Sequence, residues 1–149
     1  MAKYTLVPSL FFREEDARRI LSELVPLERT DSVKNIELPE YEAVLVYCGD
    51  TPIIYDMIKG LVGISDFNKV MFQVESGQLH LVLAAGDKLL LANSYGVEDF
   101  VTAEYFIFAA LQKFQINPEM TTVYHRGELA YEQKEQLFRY FLGVEELRQ

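Results

Sequence analysis

Lys69-Val70-Met71-Phe72-Gln73-Val74-Glu75, Leu79-His80-Leu81-Val82-Leu83-Ala84 and Lys88-Leu89-Leu90-Leu91-Ala92-Asn93 are three strand-length apolar runs. Only Ser76-Gly77-Gln78 and Ala85-Gly86-Asp87 separate them. Glycine-containing turns this short join antiparallel neighbours, so the stretch predicts a three-strand meander.

Downstream, Ser94-Tyr95-Gly96 breaks the strand pattern. A long helix is predicted from Asp99, a suitable N-cap, to Ile116. Phe100, Ala103, Ile107, Ala110, Leu111 and Phe114 form its apolar stripe, and Tyr105 and Phe108 widen it to a helix buried on two sides. Asn117-Pro118 ends the helix. Met120 to His125 reads as a strand, and Gly127 turns the chain. Glu128 to Leu142 reads as a final helix with Leu137, Phe138, Phe141 and Leu142 facing inward, stopped by Gly143. Val144 to Leu147 is a strand stub.

Upstream, Tyr4 to Val7 is a strand stopped by Pro8, followed by the apolar connection Ser9-Leu10-Phe11-Phe12. Arg13 to Val25 predicts a helix with Ala17, Ile20, Leu21, Leu24 and Val25 on one stripe, ended by Pro26. Val33 to Leu38 is an edge strand. Ala43 to Cys48 is apolar throughout, as in a strand covered on both faces. Thr51-Pro52 opens a helix whose stripe is Ile54, Met57, Ile58 and Leu61. The Gly63, Ser65, Asp66 and Asn68 cluster marks a boundary between segment 1–66 and segment 67–149, within a chain short enough to be one compact unit.

Composition removes several function classes. The chain has 149 residues, half of them hydrophobic, and a net charge of −9. Nucleic-acid binders show a basic patch. Here Arg13, Arg18 and Arg19 sit among Glu14, Glu15 and Asp16, a solvated helix face, so no nucleic-acid partner is expected. No apolar run approaches the roughly 18–20 residues of a membrane span, so no membrane partner is expected either. The single cysteine, Cys48, and an N-terminus without signal-peptide character favour the cytoplasm.

Three antiparallel strands, then helix, strand and helix, predict a mixed sheet in which the fourth strand returns beside the first by a right-handed crossover. This order resembles the ribonuclease H-like motif, two copies of which face each other across the nucleotide cleft of actin-like ATPases. The chain also resembles an uncharacterised bacterial family of unknown function with that fold. The likeness rests on Tyr4-Thr5-Leu6-Val7-Pro8-Ser9-Leu10-Phe11, on Lys88 to Gly96, on Asp99 to Phe108 and on the strand reaching Gly127. In that family the Pro8–Phe11 type of segment follows a first strand–helix unit. The resemblance therefore implies a ribonuclease H-like half-domain preceded by an α/β remnant of the first half. It carries over no catalytic residue.

An actin-like ATPase places an aspartate and a glycine in its first hairpin to hold phosphates and a metal, and glycines after the fourth strand for adenosine. The positions that match here are Glu75, Ser76 and Gly77 in the hairpin and Gly127 after the fourth strand. Glutamate replaces aspartate, no basic residue follows the hairpin, and Gly127 stands without a second glycine. An ordinary hairpin and strand end explain the same residues. Ribonuclease chemistry needs three or four carboxylates around two metals. Glu75, Glu98, Asp99 and Glu104 are available, but Met71, Gln73 and Val74 fill the strand where one acid should lie. Neither histidine, His80 or His125, has a metal-ligand spacing to a second donor. The expectation is thus a non-catalytic module that works through a protein partner or self-association, with no cofactor. The alternative is a nucleotide-binding protein using ATP with magnesium.

Overall fold

A computed structural model of the chain describes residues 3–147. Two compact units make up the chain, Met1–Lys59 and Gly60–Gln149.

The first unit holds β1 (Lys3–Pro8), α1 (Ala17–Ser22), β2 (Val33–Leu38), β3 (Ala43–Cys48) and most of α2 (Ile53–Leu61). β3 is the middle strand, paired antiparallel with β1 on one side and β2 on the other. Every residue of β3 is buried, as its unbroken apolar run predicts. Val44, Val46 and Cys48 pack with Ala17 and Leu21 of α1. Ile54, Met57, Ile58 and Leu61 are fully buried, so the apolar stripe of α2 is as read from its spacing. β1 and β2 both end opposite Ala43, so Pro8 and Leu38 leave the sheet at the same end.

The first predicted helix is shorter than its periodicity suggests. It begins as a 3-10 turn at Glu14–Asp16 and closes at Ser22. The N–H groups of Leu24 and Val25 both donate to the carbonyl of Leu21, which tightens the chain and rotates Leu24 out to 64% exposure. Leu24 therefore leaves the buried stripe.

The second unit contains β4 (Asn68–Glu75), β5 (Gln78–Ala85), β6 (Lys88–Gly96), α3 (Phe100–Lys113), β7 (Thr122–Arg126), α4 (Tyr131–Phe138) and β8 (Gly143–Glu146). The sheet order is β6-β5-β4-β7-β8. β4, β5 and β6 form the antiparallel meander, and β7 returns parallel to β4 as expected. The stub after Gly143 is β8, parallel to β7. Phe72, Leu79, Leu81 and Val123 face Ile107 and Leu111 of α3 and Leu137 of α4 in one core. The alternate residues of the same strands turn to the opposite face.

Three local expectations change. Ser94-Tyr95-Gly96 continues β6, because Ser94 pairs with His80 and Gly96 with Gln78; a bulge at Leu83/Ala84 absorbs one residue. α4 spans only Tyr131–Phe138, and the Leu142 N–H donates to the Pro118 and Thr121 carbonyls as the chain turns into β8. Leu142 is consequently exposed, and so is Phe138 at the last position of α4, while Leu137 and Phe141 are buried. α3 is flanked on two sides, by Phe108 as predicted and by Phe106 in place of Tyr105. Phe106 stacks on Tyr95 at 4.5 Å and Phe108 on Phe141 at 5.5 Å, whereas Tyr105 is 68% exposed. Among the described residues no helix is long and apolar enough to cross a membrane.

Candidate functional site

The hairpin between β4 and β5 is a two-residue turn. Ser76 and Gly77 both have positive φ, 50° and 76°, the pairing that matches the twist of a hairpin. Glu75 and Gln78 close it. Because β7 runs parallel to β4, with Gln73 opposite Arg126, Gly127 emerges at the same end of the sheet. Gly127 has φ of 83°, which an L side chain rarely adopts. Its carbonyl accepts from Nδ1 of the buried His125 at 2.9 Å.

Gly77 and the two residues after Gly127 share one cavity of about 270 Å³. Val74 and Gly77 supply one wall, Glu128 and Leu129 another, and Glu98, Asp99 and Phe100 form the third at the start of α3. The hairpin and the corner after β7 thus meet at one cavity. Glu75, Ser76 and Gly127 themselves do not line the space.

The electrostatics of this cavity disfavour phosphate. Glu98, Asp99 and Glu128 bring three carboxylates to its wall, and no lysine or arginine lines it. The free N–H groups at the start of a helix attract anions. Here Asp99 takes that place: its Oδ1 accepts from the Thr102 N–H at 2.8 Å and hydroxyl at 2.7 Å. Those two hydrogen bonds hold the Asp99 carboxyl below the usual aspartate range. Among the described residues no three His, Cys, Asp or Glu side chains gather as metal ligands.

A second constellation lies on the sheet face turned away from α3 and α4, and the linear order of residues hides it. Ser94 pairs with His80, His80 with Gln73, and Gln73 with Arg126, so four neighbouring strands contribute one polar residue each at one level. His80 Nδ1 and Ser94 Oγ are 2.7 Å apart. Burial pushes the His80 ring below the usual histidine range, with the Glu75 charge opposing. Gln73 Oε1 and Arg126 Nη1 are buried without a hydrogen-bond partner. The signal available in sequence is one polar residue inside each of two apolar strands, Gln73 and His80; Ser94 and Arg126 lie just beyond the strands read from sequence. Glu104 is also buried, at 5% exposure, and both its oxygens are unpartnered. Its desolvation raises its pKa above the usual glutamate range.

A five-strand mixed sheet in this order, with both helices on one face and the loops of β4 and β7 meeting at one end, defines an actin-like fold. The same fold is found in a solved structure from Bacteroides thetaiotaomicron VPI-5482, described as a protein with actin-like ATPase fold and unknown function. The two superpose with a TM-score of 0.77 at 20% identity, over 97% of this chain and 65% of that one. At this identity the likeness shows the fold alone. Residues 56–141 match the family described as protein of unknown function (DUF3822), and the chain belongs to that family. A comparison with the curated proteins finds no match.

Proposed function

We propose that this chain is a non-catalytic module of actin-like fold that works by protein contact. The observation that carries this reading is in the first unit. Leu10 and Phe11 are adjacent in sequence and 87% and 73% exposed. They stand with Pro8 and Pro39 along an open groove of about 720 Å³, with Glu37 and Glu42 on its rim. Exposed large apolar groups gathered on one surface favour association, because burying them releases roughly 25 cal/mol per Å². The acid-lined cavity beside Gly77 supports the non-catalytic half of the proposal, since triphosphate would meet like charge there. Residence in the cytoplasm is part of the same reading, supported by one buried unpaired cysteine, Cys48.

Light scattering after size exclusion, run on the chain and on a Leu10→Ser/Phe11→Ser variant, tests the contact. We expect either a concentration-dependent dimer or a captured heterologous protein, lost in the variant. A strictly monomeric chain that captures nothing sinks the proposal. Calorimetric titration with ATP and magnesium tests the other half; a flat trace is expected, and a saturable heat would instead favour the nucleotide-binding alternative.

A further inference from the structure

Among the described residues, Arg126 is a cation without a counterion. The chain carries 23 aspartates and glutamates. Nevertheless, among the described residues none lies within ion-pair distance of its guanidinium. Asp66 is engaged by Tyr124, two residues before Arg126 on the same face of β7, whose hydroxyl donates at 3.3 Å. Arg126 nonetheless buries Nη1 and leaves it unbonded. Burying part of a charge with no partner is costly, and the cost is removed when an anion arrives.

Gln73 is its neighbour in parallel register, on the adjacent strand and the same face. Strands lie about 4.8 Å apart, so the two side chains stand within reach of one small bridging group. They are complementary in kind, a carbonyl acceptor and an N–H donor, yet they do not bond each other. A group that satisfies both must accept from Arg126 and donate to Gln73. A bare carboxylate does only the first. Hydrogen phosphate, a hydroxycarboxylate or an amino acid does both, because each carries an oxyanion together with its own O–H or N–H. His80, opposite Gln73 on β5, already spends Nδ1 on Ser94, so it does not supply the missing hydrogen through that atom.

We propose that Gln73 and Arg126 form a binding site for a small oxyanion that carries its own hydroxyl or amine hydrogen. The site is separate from the acid-lined cavity beside Gly77, which opens on the helix-bearing face of the sheet and is lined by none of these residues. It is also independent of the Leu10–Phe11 groove, which lies in the other unit. Both side chains are only partly buried, so the outer edge of each remains in solvent.

The test is a nitrogen–proton NMR titration of the whole chain at neutral pH and fixed ionic strength, with sodium phosphate, glycolate and acetate as probes. The Arg126 Nε–Hε and Gln73 side-chain amide signals are followed. We expect saturable shifts with phosphate and glycolate, and binding weaker by about tenfold with acetate, which lacks the donor. Whether phosphate or glycolate binds more tightly distinguishes a phosphoryl from a carboxylate ligand. Arg126→Gln should abolish the response. Gln73→Glu gives Arg126 an internal partner, so it should fold at least as stably as the wild type and also lose the response. The proposal is overturned if the wild-type shifts drift alike in all three salts, which would mean that water satisfies both atoms, or if Gln73→Glu responds like the wild type.

Discussion

Nδ1 of His125 donates to the carbonyl of Gly127 at 2.9 Å, so the ring that packs against Phe72 in the core also closes the turn after β7. Burial, the largest influence, pushes this histidine below its ordinary range; the bond to Gly127 acts in the opposite direction. His80 is depressed as well, mainly by burial. A base whose folded pKa is lowered binds fewer protons folded than unfolded. Stability is therefore intact above about pH 6.5 and falls as the pH drops below it, by at most about 1.4 kcal/mol per pH unit for each histidine. Urea midpoints between pH 8 and pH 5 should show this decline, and His80→Gln should remove part of the slope.

Glu104 contributes with the opposite sign. Its folded pKa is raised, so its stabilising share is complete below the unfolded value of 4.5 and is lost as the pH rises through the folded one. At neutral pH the buried carboxylate, with neither oxygen bonded, is a cost. Glu104→Met should stabilise the chain at pH 7 by about 1–3 kcal/mol, and the gain should shrink towards pH 4. Thermal unfolding at the two pH values checks both statements.

The turn between β4 and β5 holds a non-glycine residue, Ser76, at φ 50°. Asparagine tolerates this region better than serine, so Ser76→Asn should raise stability by about 0.5 kcal/mol. Gly77→Ala should lower it by about 1 kcal/mol through backbone strain, since the nearest atom to a new Cβ, the Val97 carbonyl oxygen, is a comfortable 3.8 Å away. Equal effects of the two substitutions in chemical denaturation would contradict the left-handed geometry of the turn.

Asp99 caps α3 with two bonds to Thr102. Asp99→Ala should cost about 1 kcal/mol, and Asp99→Asn less. Because Asp99 also lines the cavity beside Gly77, either substitution removes one of its three carboxylates. Calorimetry with inorganic phosphate should show a gain in anion affinity for Asp99→Ala, which vacates the helix N-terminus, and less for Asp99→Asn, which still caps it.

Most of the second unit is legible in sequence because period-two alternation and glycine turns are local signals. The meander, the Asp99 cap and the return of β7 beside β4 follow from neighbours in the chain. Phe138 and Leu142 are misread for the opposite reason. A helical period extended past Phe138 assigns Leu142 an inward face, although the turn into β8 carries it outward, and Phe138, the last residue of α4, faces solvent. Leu24 fails in the same way beyond Ser22. At the candidate site, Gly77 and Gly127 are readable as turns, but the carboxylates of Glu98, Asp99 and Glu128 join them only through the fold. The row from Ser94 to Arg126 is the extreme case, since its side chains become neighbours only through strand register, and Arg126 comes from a strand beyond α3.

That register has a kinetic consequence. β4, β5 and β6 pair through two-residue turns, so the meander closes short loops and can form early. β7 reaches β4 only after α3 has been traversed, a long loop whose closure is slow by comparison. Ser94, His80 and Gln73 are thus aligned by short-range pairing, whereas Arg126 joins them only through the closure of the long loop. Its arrival beside Gln73 docks β7 on the meander and creates the edge on which β8 completes the sheet.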